Sequence, residues 1–360
     1  MPYSFILTGG GTGGHVFPAL AVAEVLREHG HRVLFVGTRE GMEARLVPEH
    51  GYDIEFVRSG ALNRVGVRQT LQTASLLPIG VMSARALLKK FRPDAVFSMG
   101  GYVAGPVMVA AVMRRVPLIV MEPNAIPGVA NRLVAGRVYR ALLGFESTRK
   151  FFPKAGAEVT GVPVRPAFFN VHPKRGGKFT VLITGGSRGA RTLNRASREG
   201  WPLFKQTGVP VRLVHQTGAG EHATLAEQFA SAGVDGEIVP FIKNMADAFS
   251  AADLVIGRSG AGGVNEIAAS GMPSVLVPFP FAADDHQRKN AEELAHAGAA
   301  RMILDREFTG ERLFREVEEL RANPEELLRM GSRVKPFARP GAAERAAEVL
   351  EEAANGKKST

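Results

Sequence analysis

The chain has no cysteine, which excludes disulfides, thiolate metal sites and a cysteine nucleophile, and makes a reducing compartment compatible with it. It has one tryptophan and 7% aromatic residues, so it offers no obvious platform for stacking nucleic-acid bases. No apolar stretch reaches the ~18 uninterrupted residues of a membrane-spanning helix. The longest, around residues 106–121, is cut by Arg114 and Arg115. Met1-Pro2-Tyr3-Ser4 runs straight into a strand-like stretch without a basic leader or small-residue cleavage site, which predicts a protein that stays in the cytosol. There is no D-x-D motif and no ligand-spaced histidine cluster. Asp284, Asp285 and His286 are adjacent and suit a helix cap, so the chemistry is expected to need neither metal nor cofactor.

What is present is a globular composition, 45% hydrophobic and 22% charged, in 360 residues, more than one hydrophobic core usually supports. The net charge of +10 is uneven. Residues 1–160 carry 19 Lys and Arg against 11 Asp and Glu, or +8, and residues 161–360 carry 26 against 24, or +2. A basic N-terminal half concentrates anions, whether nucleic acid, phospholipid or a pyrophosphate-bearing substrate.

Short β-rich runs alternate with helix-length segments in both halves. Residues 5–8, 32–36, 95–98 and 118–121 read as strands in the first half, and 180–184, 211–215, 254–257 and 274–277 in the second. Two echoes link the halves: Ile6-Leu7-Thr8-Gly9-Gly10 with Leu182-Ile183-Thr184-Gly185-Gly186, and Asp94-Ala95-Val96-Phe97 with Asp253-Leu254-Val255-Ile256. The expectation is two α/β, Rossmann-like domains with parallel sheets facing a central cleft, residues 1–161 and 162–340. The junction is put at Gly161-Val162-Pro163-Val164-Arg165-Pro166, and a helix with a polar, mobile tail spans 341–360.

Gly9-Gly10-Gly11-Thr12-Gly13-Gly14-His15 falls between a strand and a helix, where backbone amides and the helix dipole favour an anionic or electron-rich group. It matches G-x-G-x-x-G, but the second strand ends in Gly37-Thr38-Arg39 and not in the acid that binds a dinucleotide ribose, which counts against an NAD enzyme. Gly185-Gly186-Ser187-Arg188-Gly189-Ala190 adds a hydroxyl and a guanidinium and suits a diphosphate. Glycine clusters at Gly100-Gly101 and Gly260–Gly263 complete the set. Without a cation, a leaving diphosphate needs amides, a helix dipole and side chains, with Ser187, Arg165 and Arg258 the candidates.

These blocks, together with Val16-Phe17-Pro18, Tyr102-Val103-Ala104-Gly105-Pro106, Glu122-Pro123-Asn124-Ala125-Ile126-Pro127-Gly128 and Arg258-Ser259-Gly260-Ala261, closely resemble the MurG family of bacterial glycosyltransferases over nearly the whole chain. The resemblance implies a GT-B fold and inverting transfer of N-acetylglucosamine from UDP-GlcNAc to the C4 hydroxyl of the muramyl sugar of lipid I, giving lipid II. The acceptor and membrane side would lie in the N-terminal domain and the UDP-sugar in the C-terminal one, and the final helix would return to the N-terminal domain. The protein would be peripheral to the cytoplasmic face of the cell membrane. Carried over by position, Ile242 would meet the uracil through its backbone, Glu266 the ribose and Ser187 the phosphate. Thr12, Gly13, Gly14, Asn124, Arg165, Gly189, Arg258, Ala261, Gln287 and Asn290 would complete the substrate site. Pro123 and Arg188 stand where the family usually has Gln. Other GT-B transferases and UDP-sugar epimerases share much of this pattern, and a basic nucleic-acid-binding protein would fit only the charge.

His15 lies at the exit of the first loop, with an ordinary pKa suited to a general base, and would otherwise hold its loop by hydrogen bonds. Glu266 suits the vicinal ribose hydroxyls, or else merely complements a helix dipole. Leu76, Leu77, Ile79, Val81 and Met82 beside Arg85, Lys89 and Lys90 read as a patch for an anionic bilayer, against the alternative of a buried helix with a solvated basic end.

Overall fold

The computed structural model describes residues 2–11, 13–59, 67–154, 156–172 and 176–358, with the backbone alone over 67–76 and 357–358. Strands β1 (Ser4–Thr8), β2 (Arg32–Gly37), β3 (Asp53–Phe56), β4 (Ala95–Ser98), β5 (Leu118–Glu122), β6 (Arg140–Leu143) and β7 (Gly156–Val159) form one parallel sheet in the order β3-β2-β1-β4-β5-β6-β7. Strands β8 (Phe179–Thr184), β9 (Val211–Gln216), β10 (Gly236–Val239), β11 (Leu254–Gly257), β12 (Ser274–Leu276) and β13 (Arg301–Met302) form a second, in the order β10-β9-β8-β11-β12-β13. The strand order therefore reverses between β1 and β4 in one sheet and between β8 and β11 in the other. In an open parallel sheet, that reversal opens a crevice at the strands' carboxyl ends, where ligands bind.

Cα proximity gathers the chain into two units, Met1–Val164 with Arg339–Thr360, and Arg165–Ala338. In unit 1, alternate residues of β1 serve opposite faces of the sheet. Phe5 and Leu7 pack with Phe35 and Phe97 against Ala19 and Leu26 of the helix Gly13–Glu28. Ile6 packs with Val96 and Val120 against Ala104 and Met108 of the helix Gly101–Met113. Burial on both faces explains why these strands read as near-continuous apolar runs. Unit 2 repeats the scheme around Val181, Ile183, Leu254 and Ile256, with Trp201 set edge-on to Phe229 at 5.2 Å.

The echo of Asp94 in Asp253 has a physical cause. Asp94 Oδ2 accepts the Ser4 N–H at 2.8 Å, and Asp253 Oδ2 accepts the Thr180 N–H at 2.7 Å. Each aspartate thus pins the start of its unit's central strand across the switch point.

The last helix, Ala342–Lys358, belongs to unit 1 and buries Ala346, Ala347, Val349, Leu350, Ala353 and Ala354 in the core that β1 and the helix Gly13–Glu28 share. Arg345 clasps Glu158 of β7 through two bonds, at 2.8 and 3.1 Å, and this guanidinium holds the Glu158 carboxyl below the usual carboxylate range. His29 Nδ1 and His31 Nε2 both meet Glu351 Oε1, at 2.7 and 3.0 Å. No helix among the described residues is long and apolar enough to cross a membrane.

Candidate functional site

In unit 2, the loops following β8 and β11 border a cavity of about 1070 Å³ at the switch point. Gly186, Arg188 and Gly189 from the first loop, Arg258 and Gly260 from the second, and Glu266 from the helix Ala261–Ser270 line it. The tight course of the first loop depends on Gly189, which has φ +73° and a backbone so close to the next loop that a Cβ would overlap the Thr217 carbonyl oxygen. Gly189 N–H closes the turn onto Gly186 O at 2.9 Å.

Gln216, at the end of β9, fixes this loop to its surroundings. Its Nε2 donates to Gly186 O at 2.8 Å and to Thr184 Oγ1 at 3.3 Å, while its Oε1 accepts the Ile242 N–H at 2.8 Å. The Ile242 amide is thereby engaged, and its side chain lines a separate hollow of about 590 Å³ beside β9 and β10.

Burial pushes the Glu266 carboxyl above its ordinary pKa, and the Arg165 guanidinium, 3.1 Å away, pulls it back in part. Arg165 is therefore drawn to the same corner as Glu266. Arg258 lines the cavity, but its Nη1 is shared among Val277 O, Pro278 O and Asp305 Oδ1, with Thr192 Oγ1 holding the other oxygen of Asp305 at 2.9 Å. The exposed guanidinium-bearing residues of the lining are Arg188 and Arg191, the latter at the first turn of the helix Arg191–Thr207. Gln287 lines the cavity and accepts Phe279 N–H at 3.0 Å.

Five expected substrate contacts of unit 2 lie outside that lining: Arg165 and Ile242, already placed, and Ser187, Ala261 and Asn290. Ser187 is exposed on the loop between two lining residues, and Ala261 is half-buried at the start of its helix. Asn290 is fully buried and donates to Ser259 O at 3.1 Å, which places it behind the cavity wall as a support for the β11 loop.

In unit 1, the loops after β1 and β4 meet at the other switch point. Gly13 and Gly14 open the helix Gly13–Glu28, His15 stands half-buried in its first turn, and Thr12 lies outside the described residues. The His15 ring flanks Gly101, and Gly11 faces the Tyr102 ring. A buried carboxylate underlies this loop. Glu43, 1% exposed, accepts Gly11 N–H through Oε2, and Thr38 N–H and O–H through Oε1, each at 2.9 Å.

Asn124 is held in turn by Glu122. This carboxylate, which burial raises above its ordinary pKa, accepts from Asn124 N at 3.0 Å, Asn124 Nδ2 at 3.1 Å, Gly128 N at 3.1 Å and Asn131 Nδ2 at 2.9 Å. Pro123 is buried in the same loop.

Glu43, Glu122, Arg191 and Gln216 carry no role in the sequence reading above. Glu122 and Gln216 share one legible signal, a polar residue at the carboxyl end of a parallel strand. Glu43 enters from a helix six residues beyond β2 and has none.

His29, His31 and Glu351 bring three metal-capable groups together. However, Tyr3 N–H donates to His31 Nδ1 at 3.1 Å, so the neutral ring carries its proton on Nε2, directed at Glu351. A cation would find no lone pair on His31 Nε2.

Within the helix Val67–Phe91, Gly80 packs against Arg58 and Pro106, while Ile79 and Met82 turn outward, 49% and 72% exposed, above exposed Arg85, Lys89 and Lys90. Leu77 is half-buried and Val81 packs against the core. The side chain of Leu76 lies outside the described residues.

Residues 5–143 match the glycosyltransferase family 28 N-terminal domain, and residues 180–346 its C-terminal domain. A protein of Solibacter usitatus (strain Ellin6076), named UDP-N-acetylglucosamine--N-acetylmuramyl-(pentapeptide) pyrophosphoryl-undecaprenol N-acetylglucosamine transferase, is 55% identical over 98% of this chain and 96% of its own length. The chain belongs to glycosyltransferase family 28. The crystal structure of Acinetobacter baumannii MurG superposes with a TM-score of 0.80 at 32% identity, covering 98% of this chain and all of that one. The two-unit, parallel-sheet architecture is accordingly the GT-B fold. A UDP-GlcNAc 2-epimerase from Neisseria meningitidis, bound to UDP-GlcNAc, has a TM-score of 0.68 over 98% of this chain and all of its own, but at 15% identity that likeness is of fold alone.

Proposed function

We propose that this family 28 member transfers N-acetylglucosamine from UDP-GlcNAc to the C4 hydroxyl of the muramyl sugar of lipid I, with inversion, in peptidoglycan synthesis. The reading rests on full-length membership of a family whose named relatives perform this transfer. The observation that carries its chemistry is the unit 2 cavity, where a glycine loop, two exposed arginines and a half-buried glutamate come together.

The diphosphate lies along Gly186–Gly189 with Arg188 and Arg191 beside it, and the ribose hydroxyls meet Glu266. The acceptor oxygen bonds to the anomeric carbon as the bond from that carbon to the phosphate oxygen breaks. Its proton passes to His15, directly or through water, and UDP departs. Amides, a helix dipole and guanidinium groups stabilise the leaving diphosphate without a divalent cation. Unit 1 takes the acceptor, and the exposed Ile79 and Met82 with their basic neighbours rest on the anionic cytoplasmic face of the cell membrane.

The test is transfer of labelled sugar from UDP-GlcNAc to a lipid I analogue in the presence of EDTA. Lipid-linked disaccharide should form. Its absence with folded protein would defeat the reading, and a requirement for added divalent cation would defeat the metal-free step. His15→Ala should lower turnover by ~10²-fold or more while UDP-GlcNAc binding survives.

A further inference from the structure

We propose that Glu43 is a positioning residue for this transfer, acting through Gly11 to set the loop that carries His15; the proposal rests on the function proposed above. Three glycines from two segments are shaped around its carboxylate: a Cβ on Gly10, Gly37 or Gly41 would overlap it. A buried carboxylate is costly unless its lone pairs are used. Here Gly11 N–H, Thr38 N–H and Thr38 O–H all donate to it at 2.9 Å.

The geometry gives this group one function beyond filling space. Glu43 opens the helix Glu43–Glu49, and Thr38 follows the last residue of β2, so two of its three bonds fix the carboxylate to its own neighbourhood. The third crosses to the β1 loop, two residues before the helix Gly13–Glu28 begins and four before His15. Gly11 has φ +82° and rests against the Tyr102 ring, and Gly101 beside it rests against His15. The carboxylate therefore holds the hinge of a compact group, Gly11, Tyr102, Gly101 and His15, at the unit 1 switch point. It also occupies the Gly11 amide, which is then not open to a ligand.

Two variants separate positioning from stability. Glu43→Gln is isosteric but turns an NH2 toward an N–H donor; Oε1 serves two Thr38 donors and Oε2 only Gly11, so the oxygen stays with Thr38 and the crossing bond to Gly11 is lost. Thr38→Val removes one hydrogen bond from the same carboxylate and leaves Gly11 untouched. Initial rates with UDP-GlcNAc and the lipid I analogue, thermal melting, and amide exchange at Gly11 with the His15 imidazole titration by NMR are measured on the full chain.

Glu43→Gln should lower kcat by roughly 10- to 100-fold, the loss that follows displacement of a catalytic group by about an ångström. The donor KM should stay within about twofold, the Gly11 amide should lose protection and the His15 titration should shift. Thr38→Val should melt at a lower temperature yet keep kcat. Parallel loss of kcat and melting temperature in both variants, or wild-type kcat in Glu43→Gln, would overturn the proposal. If the wild type transfers no sugar, the functional reading fails by itself. The proposal is then judged on the NMR readings, and an unprotected Gly11 amide in the wild type overturns it. Should Glu43→Gln not fold, the same wild-type exchange measurement decides.

Discussion

His215 makes the acid stability of unit 2 calculable. It lies on β9, is fully buried, and neither ring nitrogen meets a partner among the described residues. Loss of water around the imidazole pushes its pKa down from the ordinary 6.5 to about 3. The unfolded chain thus takes up a proton near pH 6.5 that the folded chain refuses until about pH 3. The stability this group contributes is present above pH 6.5 and is lost as pH falls toward 3. Each pH unit in that window removes ~1.4 kcal/mol, so ~2 kcal/mol is gone by pH 5.

His215→Leu deletes the titration and, with it, two unpaired buried nitrogens, each a cost of ~1–3 kcal/mol. Urea unfolding at pH 7, 6 and 5 can be followed by Trp201 fluorescence, because the single tryptophan is 2% exposed and lies in the same unit. The variant should gain ~2 kcal/mol on the wild type between pH 7 and 5. Equal pH slopes for the two proteins would refute the reasoning, because they would mean that the buried imidazole either titrates normally or is hydrogen-bonded.

Gly189→Ala should cost ~1–3 kcal/mol through its left-handed backbone and the Thr217 overlap, and should raise the donor KM at least tenfold in rate assays. Arg345→Ala should loosen the last helix. Glu158 and Arg345 are 34% and 31% exposed, so screening limits the pair to ~1 kcal/mol. Because Glu158's pKa is depressed, that advantage holds above 4.5 and disappears as pH falls through the folded value, which melting curves at pH 7 and 3 would register. Met82→Glu should weaken flotation with anionic vesicles, through loss of an apolar contact and repulsion by the lipid charge. Equal flotation of both proteins would remove this surface from the membrane account.

Much of the fold is visible in the sequence because its central strands are buried on both faces. Residues 5–8, 95–98, 118–121 and 254–257 read as near-continuous apolar runs, and each falls within an observed strand. The edge strands are another matter. β3, Asp-Ile-Glu-Phe, is alternately exposed and half-buried, and β13 is two residues long, so neither displays a run to find. The glycine clusters announce themselves because backbone must approach backbone there, as Gly189 approaches Thr217. The polar groups that set those loops do not. Glu43 reaches Gly11 from 32 residues away, and Gln216 reaches Gly186 and Ile242 from another strand, so these pairings exist only once the sheets are assembled. The same holds for Arg258, whose pairing with Asp305, 47 residues on, exists only once the sheet is assembled.

The central claim is that the donor nucleotide occupies the unit 2 cavity, and a crystal structure with UDP-GlcNAc tests it most directly. The diphosphate should lie against Gly186–Gly189 with Arg188 and Arg191 nearby, and the ribose hydroxyls against Glu266. A vacant cavity at saturating ligand, or the diphosphate seated on the Gly9–Gly11 loop above Glu43, would contradict it.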